Sequence, residues 1–346
     1  MSRIALTTVA NKSKVLSKSG FSGYDACINP YVGCEFGCSY CYVRFFVKDK
    51  QKPWGEFVRV REHIEEQLPK ELRKGQIDIT EGREKVYNAE GDPVLGEDGK
   101  QTTRPKHRYL AIPETRLVLG TMTDPYQPKE AKFRITRKTL QILTQPDVLK
   151  FKKVGIFTRS PLVLQDLELI KQLPMARVHF TITPFPHKVM RAIEPFSPLT
   201  ERRWDVVKKL KEAGLRVHVN ISPVMPGMSE DFIEEWIGRL VELQVDEWFW
   251  DPMQPYKESF AAFKQACQTL PDLDWSKIEA IMTDRDRYLD WKFAFHQRLK
   301  AAWDKAHHLS PHTLGIWCDH EHDVWVNLLT GEQMDSRRYG SDLETT

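Results

Sequence analysis

Between residues 116 and 250, short apolar runs alternate with stretches whose apolar positions fall three and four residues apart. The runs are Arg116–Gly120, Val154–Thr158, Arg177–Thr183, Leu215–Ile221 and Val245–Trp250. Helical spacing follows over Ile135–Leu143, Leu162–Leu173, Thr200–Ala213 and Ser229–Leu243. Short apolar strands in alternation with longer helices predict parallel β-α-β units, because a parallel strand needs a crossover before its neighbour. Tyr24–Gly33 reads as one more strand running into a loop, which brings the count to about six units. A helix is also predicted over Arg61–Leu72, with Ile64, Leu68 and Leu72 at four-residue intervals.

The flanking segments have different patterns. Residues 1–22 are polar without an apolar period and read as a flexible arm. Residues 80–107 are rich in turn formers and predict a surface hairpin inserted into a core spanning 23–255. Residues 256–346 combine a long helical stretch, Ser276–Lys305, with two strand-like runs, and read as a C-terminal helical and strand cap.

The 346 residues are 41% hydrophobic and 29% charged, which excludes disorder as the main state. No uncharged apolar run approaches the roughly 18–20 residues of a membrane span, and the N-terminal segment lacks a signal-peptide core, so a cytoplasmic protein is expected. A net charge of +3 is too small to announce nucleic acid. Lys129–Arg159 carries nine Lys/Arg against two Asp/Glu, a pattern read first as a solvated helix face.

The cysteines carry the strongest chemical signal. They stand at 27, 34, 38, 41, 267 and 318. Clustered thiols in a reducing compartment point to metal. Cys34-x3-Cys38-x2-Cys41 offers three thiolates, whereas a closed zinc site needs four ligands. Three suit a [4Fe–4S] cluster with one iron left open to a ligand bearing amine and carboxylate groups. Gly33 and Gly37 would let the backbone wrap tightly there.

This spacing, with Tyr40 before the last thiol, resembles the radical S-adenosylmethionine (SAM) superfamily. Thr121–Pro128, Thr158–Asp166, Ala192–Pro195 and Ile221–Gly227 resemble its spore photoproduct lyase-like branch, in the expected order. The resemblance implies a partial (β/α)6 TIM-like barrel. It implies that Cys34, Cys38 and Cys41 hold a [4Fe–4S] cluster whose fourth iron binds SAM. One electron would cleave SAM to methionine and a 5′-deoxyadenosyl radical, which takes hydrogen from a substrate carbon. Tyr40 would lie near the adenine. The predicted strand ends supply further cofactor candidates: Thr121, Thr123 and Asp124, then Thr158, Arg159 and Ser160, then Thr181 and Thr183, then Ser222. Arg159 could pair with the SAM carboxylate. For each of these, a turn or capping role is the alternative. Arg191 and Glu194 could form an ion pair. A flavodoxin or ferredoxin is the implied electron donor.

The resemblance has a boundary. The lyases use a cysteine downstream of the cluster as hydrogen donor, and this chain has none between Cys41 and Cys267. Tyr42 matches a tyrosine that relays a hydrogen atom in that branch, with a packed loop aromatic as the alternative. Cys318, His320 and His322 would share one face of a strand and could bind a second metal. Cys318 could instead donate hydrogen, or the segment could be a polar strand edge. The leading expectation is a radical SAM enzyme, a lyase or another radical-modifying enzyme, acting on nucleic acid. A peptide or small metabolite is the runner-up substrate, and a non-enzymatic metal-binding module the third reading.

Overall fold

The computed structural model describes residues 5–9, 13–21, 23–88, 91–96, 99–255, 257–270, 273–319, 324–328, 330 and 333–334. The first strands in chain order are β1 (Ala5–Thr8), β2 (Leu16–Lys18), β3 (Ala26–Ile28), β4 (Tyr31–Val32) and β5 (Phe57–Val60). A long pair follows, β6 (Gln76–Lys85) and β7 (Thr103–Ala111). Next come β8 (Arg116–Leu119), β9 (Lys153–Thr158), β10 (Arg177–Ile182), β11 (Arg216–Val224) and β12 (Glu247–Pro252). The last are β13 (Leu314–Asp319), β14 (Val324–Asn327) and β15 (Gln333–Met334).

β3, β8, β9, β10, β11, β12 and β13 lie side by side in that order, and all are parallel. Six of them carry the expected units, in the arrangement of a partial barrel. The runs are strands covered on both faces: Val154, Ile156, Val178, Phe180, Val217 and Val219 are buried on one, and Lys153, Arg177, His179 and His218 on the other. The helix Ile64–Leu72 buries Ile64, Leu68 and Leu72 and packs against the helix Ile135–Thr144.

The structure corrects three expectations. Residues 1–22 are not simply an arm. β1 pairs in parallel with β5, and β2 pairs antiparallel with β3, with Val15 and Leu16 buried. Strands of four and three residues are too short to show a period, yet their backbone groups complete two sheets. The C-terminal region does not merely cap the core either, since β13 extends the main sheet by parallel pairing with β12. The single helix expected over Ser276–Lys305 is two, Trp275–Met282 and Arg285–Ala306. The break falls at Asp284, whose carboxylate accepts from the Arg287 N–H and so starts a new helix. The inserted hairpin is β6–β7, and it begins inside the core, because Ile77 and Ile79 are buried.

A second feature concerns the sheet interior. Val, Ile and Leu usually fill barrel interiors. Here Tyr24, Lys153, Arg177, His179, His218 and Glu247 are buried together. Arg177 pairs with Glu247 at 2.7 Å, and His218 lies 3.3 Å from the same carboxylate. Burial pushes the Tyr24 phenol up and the His179 imidazole down, and the two share a hydrogen bond, Tyr24 hydroxyl to His179 Nε2, at 2.5 Å. Tyr24 occupies the space above Gly155, where an added Cβ would stand 2.1 Å from its hydroxyl.

Candidate active site

The thiol loop leaves β4 at Gly33, whose φ is +87°. A Cβ there would meet the Phe57 carbonyl oxygen of β5 at 2.5 Å, so the turn needs glycine for its conformation and for the close approach of β5. Gly33→Ala should cost about 2–4 kcal/mol from left-handed strain and overpacking. Chemical denaturation measures the cost, and iron content after anaerobic loading measures the effect on the loop. Wild-type values for both would contradict this account of the loop.

Other elements clamp the loop. Thr123 Oγ1 donates to the Gly33 carbonyl at 2.6 Å, and the Glu35 N–H donates to Gln127 Oε1 at 2.8 Å. On the far side, the Ser39 N–H donates to the Ile193 carbonyl at 2.9 Å. Within this frame Cys34, Cys38 and Cys41 line one cavity of about 300 Å3. Among the described residues, no three His, Cys, Asp or Glu side chains converge on a point that would hold a single metal ion. What the three thiols share is the wall of that cavity. Burial pushes Cys38 up to about 12 and moves Cys34 and Cys41 in the same direction, so loading a metal group here releases protons. Cys27 is not among the cavity-lining residues. Its sulfur lies 3.2 Å from Ser17 Oγ and 3.4 Å from the Lys18 carbonyl, on the side of β2.

The ends of the parallel strands form the rest of the wall. Tyr40, Thr121, Thr123, Asp124, Thr158, Arg159, Thr181 and Ser222 all line the same cavity, and so does Tyr42. The sheet topology explains this convergence, since parallel strands place their C-terminal ends on one side. Two of the expected residues are elsewhere. Thr183 is buried and donates to Glu194 at 2.8 Å. Ser160 accepts from the Leu162 N–H at 3.3 Å and starts a 3-10 turn, which makes it a cap and not a wall residue. Asp124 lines the cavity, but its carboxylate is already engaged. It accepts from Thr158 Oγ1 at 2.7 Å, the Tyr126 N–H at 2.8 Å and the Arg159 N–H at 3.0 Å, which ties the end of β8 to the end of β9.

The expected Arg191–Glu194 pair does not form. Glu194 is fully buried and pairs with Arg159 at 2.5 Å and with Arg203. It also accepts from the Tyr40 hydroxyl. Arg191 reaches the Ser197 carbonyl instead, at 3.4 Å. Burial alone would raise the Glu194 pKa, but the two guanidinium groups outweigh it and hold the carboxyl at about 2. Arg159 Nη1 also donates to the Tyr40 hydroxyl at 2.7 Å and lies 3.6 Å from Cys38 Sγ. The guanidinium expected for an incoming carboxylate is thus already fixed against the thiol loop.

Sequence reasoning missed several wall residues. Asn220, Asp251, Gln254 and Ser259 line the cavity, with Phe157 and Phe249 as its apolar faces. Asn220 is 4% exposed, and its side-chain oxygen has no hydrogen-bond partner among the described residues. The alternation along β11 was the available signal, since 218, 220 and 222 share a face. The Cys318 side chain, His320 and His322 lie outside the described residues, and so therefore does the second-metal expectation. Among the described residues, no helix is long and apolar enough to cross a membrane.

Residues 28–240 match the family model of the Radical SAM superfamily, a span containing the three thiols and every strand end named above through Ser222. An uncharacterized protein of Methanocaldococcus jannaschii is 29% identical over 238 residues, covering 68% of this chain and 73% of its own. One from Acidianus two-tailed virus is 28% identical over 239 residues, covering 64% and 65%. Among solved structures, a spore photoproduct lyase complexed with dinucleoside spore photoproduct superposes with a TM-score of 0.56 at 14% identity. It covers 90% of this chain and 81% of its own. At that identity the likeness is one of fold.

Proposed function

We propose a reaction from an established premise: this chain belongs to the Radical SAM superfamily. Membership implies an iron–sulfur cluster and SAM, and the residues present fit both. Cys34, Cys38 and Cys41 would hold a [4Fe–4S] cluster, with its fourth iron left for SAM. The hydroxyls of Thr181 and Ser222 and the unpartnered Asn220 oxygen would meet the polar groups of SAM, while Thr121 and Thr123 are held by Asn29 and the Gly33 carbonyl and shape the wall. When bound, the reduced cluster would supply one electron to SAM, breaking a carbon–sulfur bond to give methionine and a 5′-deoxyadenosyl radical that would take hydrogen from a substrate carbon. The chain's part is to position and to exclude water. Phe157 and Phe249 form dry walls, Tyr40 is fixed by Glu194 and Arg159, and Asp124 braces two strand ends. The observation that carries this reading is the meeting of three thiols and the strand-end hydroxyls on one cavity.

The substrate we propose is nucleic acid with an unpaired or damaged base. The segment after the thiols bears exposed Tyr42 and Phe46, the latter 72% exposed, and exposed Lys48, Lys50 and Lys52. Aromatic faces beside cations suit unstacked bases and phosphates. The fold shared with a lyase that binds a dinucleoside supports the same class. Tyr42, which lines the cavity and donates to the Thr121 carbonyl at 2.6 Å, is our candidate for giving a hydrogen atom to the product radical, the tyrosyl radical left behind being restored by a proton and a further electron from the reductant. The test is anaerobic incubation of the loaded enzyme with SAM, dithionite and an oligonucleotide deuterated at its base carbons. Deuterium in 5′-deoxyadenosine supports the reading. The Lys48→Glu/Lys50→Glu/Lys52→Glu variant should weaken binding and make its salt slope shallower by about three. No binding at low salt, with label transfer only from a peptide or metabolite, would remove nucleic acid.

A further inference from the structure

The cavity holding the thiols has a neighbour on the outside of the molecule. It is a groove of about 520 Å3, and Phe36 lines both. Phe36 stands between Cys34 and Cys38 in the chain, and its buried ring is a wall common to the thiol cavity and this outer groove. The groove walls are apolar, including Leu162, Leu199 and Phe196, which is 42% exposed. Phe196 also packs toward the thiol loop, 4.0 Å from where a Cβ on Gly37 would stand.

The charged residues that line the groove have one sign. Its charged lining residues are Arg191 and Arg202, both exposed. Exposed Lys132 lies next to Ala131 on the rim. The neighbouring acids are turned to other partners. Glu194 is buried between Arg159 and Arg203, and Glu201 pairs with Arg239 at 3.4 Å. An apolar centre with a cationic rim is the composition of a docking face for a negatively charged protein.

We propose that this groove docks an acidic one-electron carrier protein, which delivers the electron past Phe36. The inference rests on the cluster reading above. The reduced carrier loses one electron and the cluster gains one, with no bond made or broken at the groove. The geometry also explains why entry is separate from the cavity mouth. SAM and substrate must fill the mouth while the electron arrives, so a carrier sharing that opening would compete with both.

The test compares two reductants on the anaerobically loaded full chain. Reduced flavodoxin is the protein donor and dithionite the small one. The double variant Arg191→Glu/Arg202→Glu should slow cluster reduction by flavodoxin about ten-fold or more, because steering is lost and like charges face each other. Its reduction by dithionite, and 5′-deoxyadenosine formed with dithionite, should match wild type. The wild-type flavodoxin rate should fall as salt rises, and the variant rate should not. Equal flavodoxin rates in the two proteins overturn the docking face and leave the cluster reading intact. So does a variant that keeps its flavodoxin rate but loses nucleic-acid binding, since the face then serves the substrate. A wild-type chain that takes up no iron and sulfide overturns the underlying reading, and the docking face with it.

Discussion

Replacing Cys38 with alanine should leave a folded chain that neither retains an iron–sulfur cluster nor forms 5′-deoxyadenosine above the protein-free background. The cause is ligand count. Three thiols line the cavity, and losing one leaves two protein ligands for a cluster whose irons normally take one cysteine each. Cys34→Ala and Cys41→Ala should behave alike. Cys27→Ala is the contrasting case. Its sulfur is turned toward Ser17 and the Lys18 carbonyl, so the variant should keep both iron and turnover. Iron and sulfide analysis with product chromatography after incubation with SAM and dithionite checks all four. A Cys27→Ala protein as empty as Cys38→Ala would place a fourth ligand where the account has none.

Glu194→Leu should destabilise the fold by about 3–5 kcal/mol, because it leaves buried guanidinium charge uncompensated. Arg203 and Glu194 have no exposed side-chain surface, and Arg159 shares the same carboxylate. Adding Arg203→Leu should recover part of the loss, since the stranded charge is then removed. Denaturant titration of the three proteins gives the cycle, and a single-variant loss below about 1 kcal/mol would contradict it. The same residue sets an acid limit. Its folded pKa is lowered from 4.5 to about 2, so its contribution is complete above 4.5 and is lost as pH falls toward 2. Stability of the wild type should therefore decline through that window more steeply than that of the Glu194→Leu/Arg203→Leu protein.

The parallel units were legible because each strand has an apolar face that is buried and most are followed by a periodic helix; after β9 the helix expected over Leu162–Leu173 is instead a 3-10 helix, Pro161–Asp166, and one α-turn, Leu167–Ile170. The strand-end residues were legible for a related reason. Once the strands are parallel, Thr121, Thr158, Thr181 and Ser222 must share one side of the sheet. What escaped was whatever depends on distant pairing. Nothing local marks Ala5–Thr8 as a strand, because its partner lies about fifty residues on, at Phe57–Val60. Glu194 looked like a partner for Arg191 three residues away, but it reaches Arg159 and Arg203. Helical spacing brings neighbours within reach, yet a carboxylate with no exposed surface takes the partners that are buried with it. Thr183 and Ser160 follow the same lesson. Both sit at strand ends, but hydrogen bonds to Glu194 and from the Leu162 N–H turn them from the cavity.

The central claim is that three protein thiols leave one iron of a cluster open to SAM. The most direct measurement is the electron paramagnetic resonance spectrum of the reduced, anaerobically loaded protein before and after SAM is added. The account predicts the signal of one reduced [4Fe–4S] cluster per chain, with principal values that shift when SAM binds the open iron. A reduced-cluster signal that SAM leaves unchanged, or a colourless protein holding one zinc ion, would contradict it.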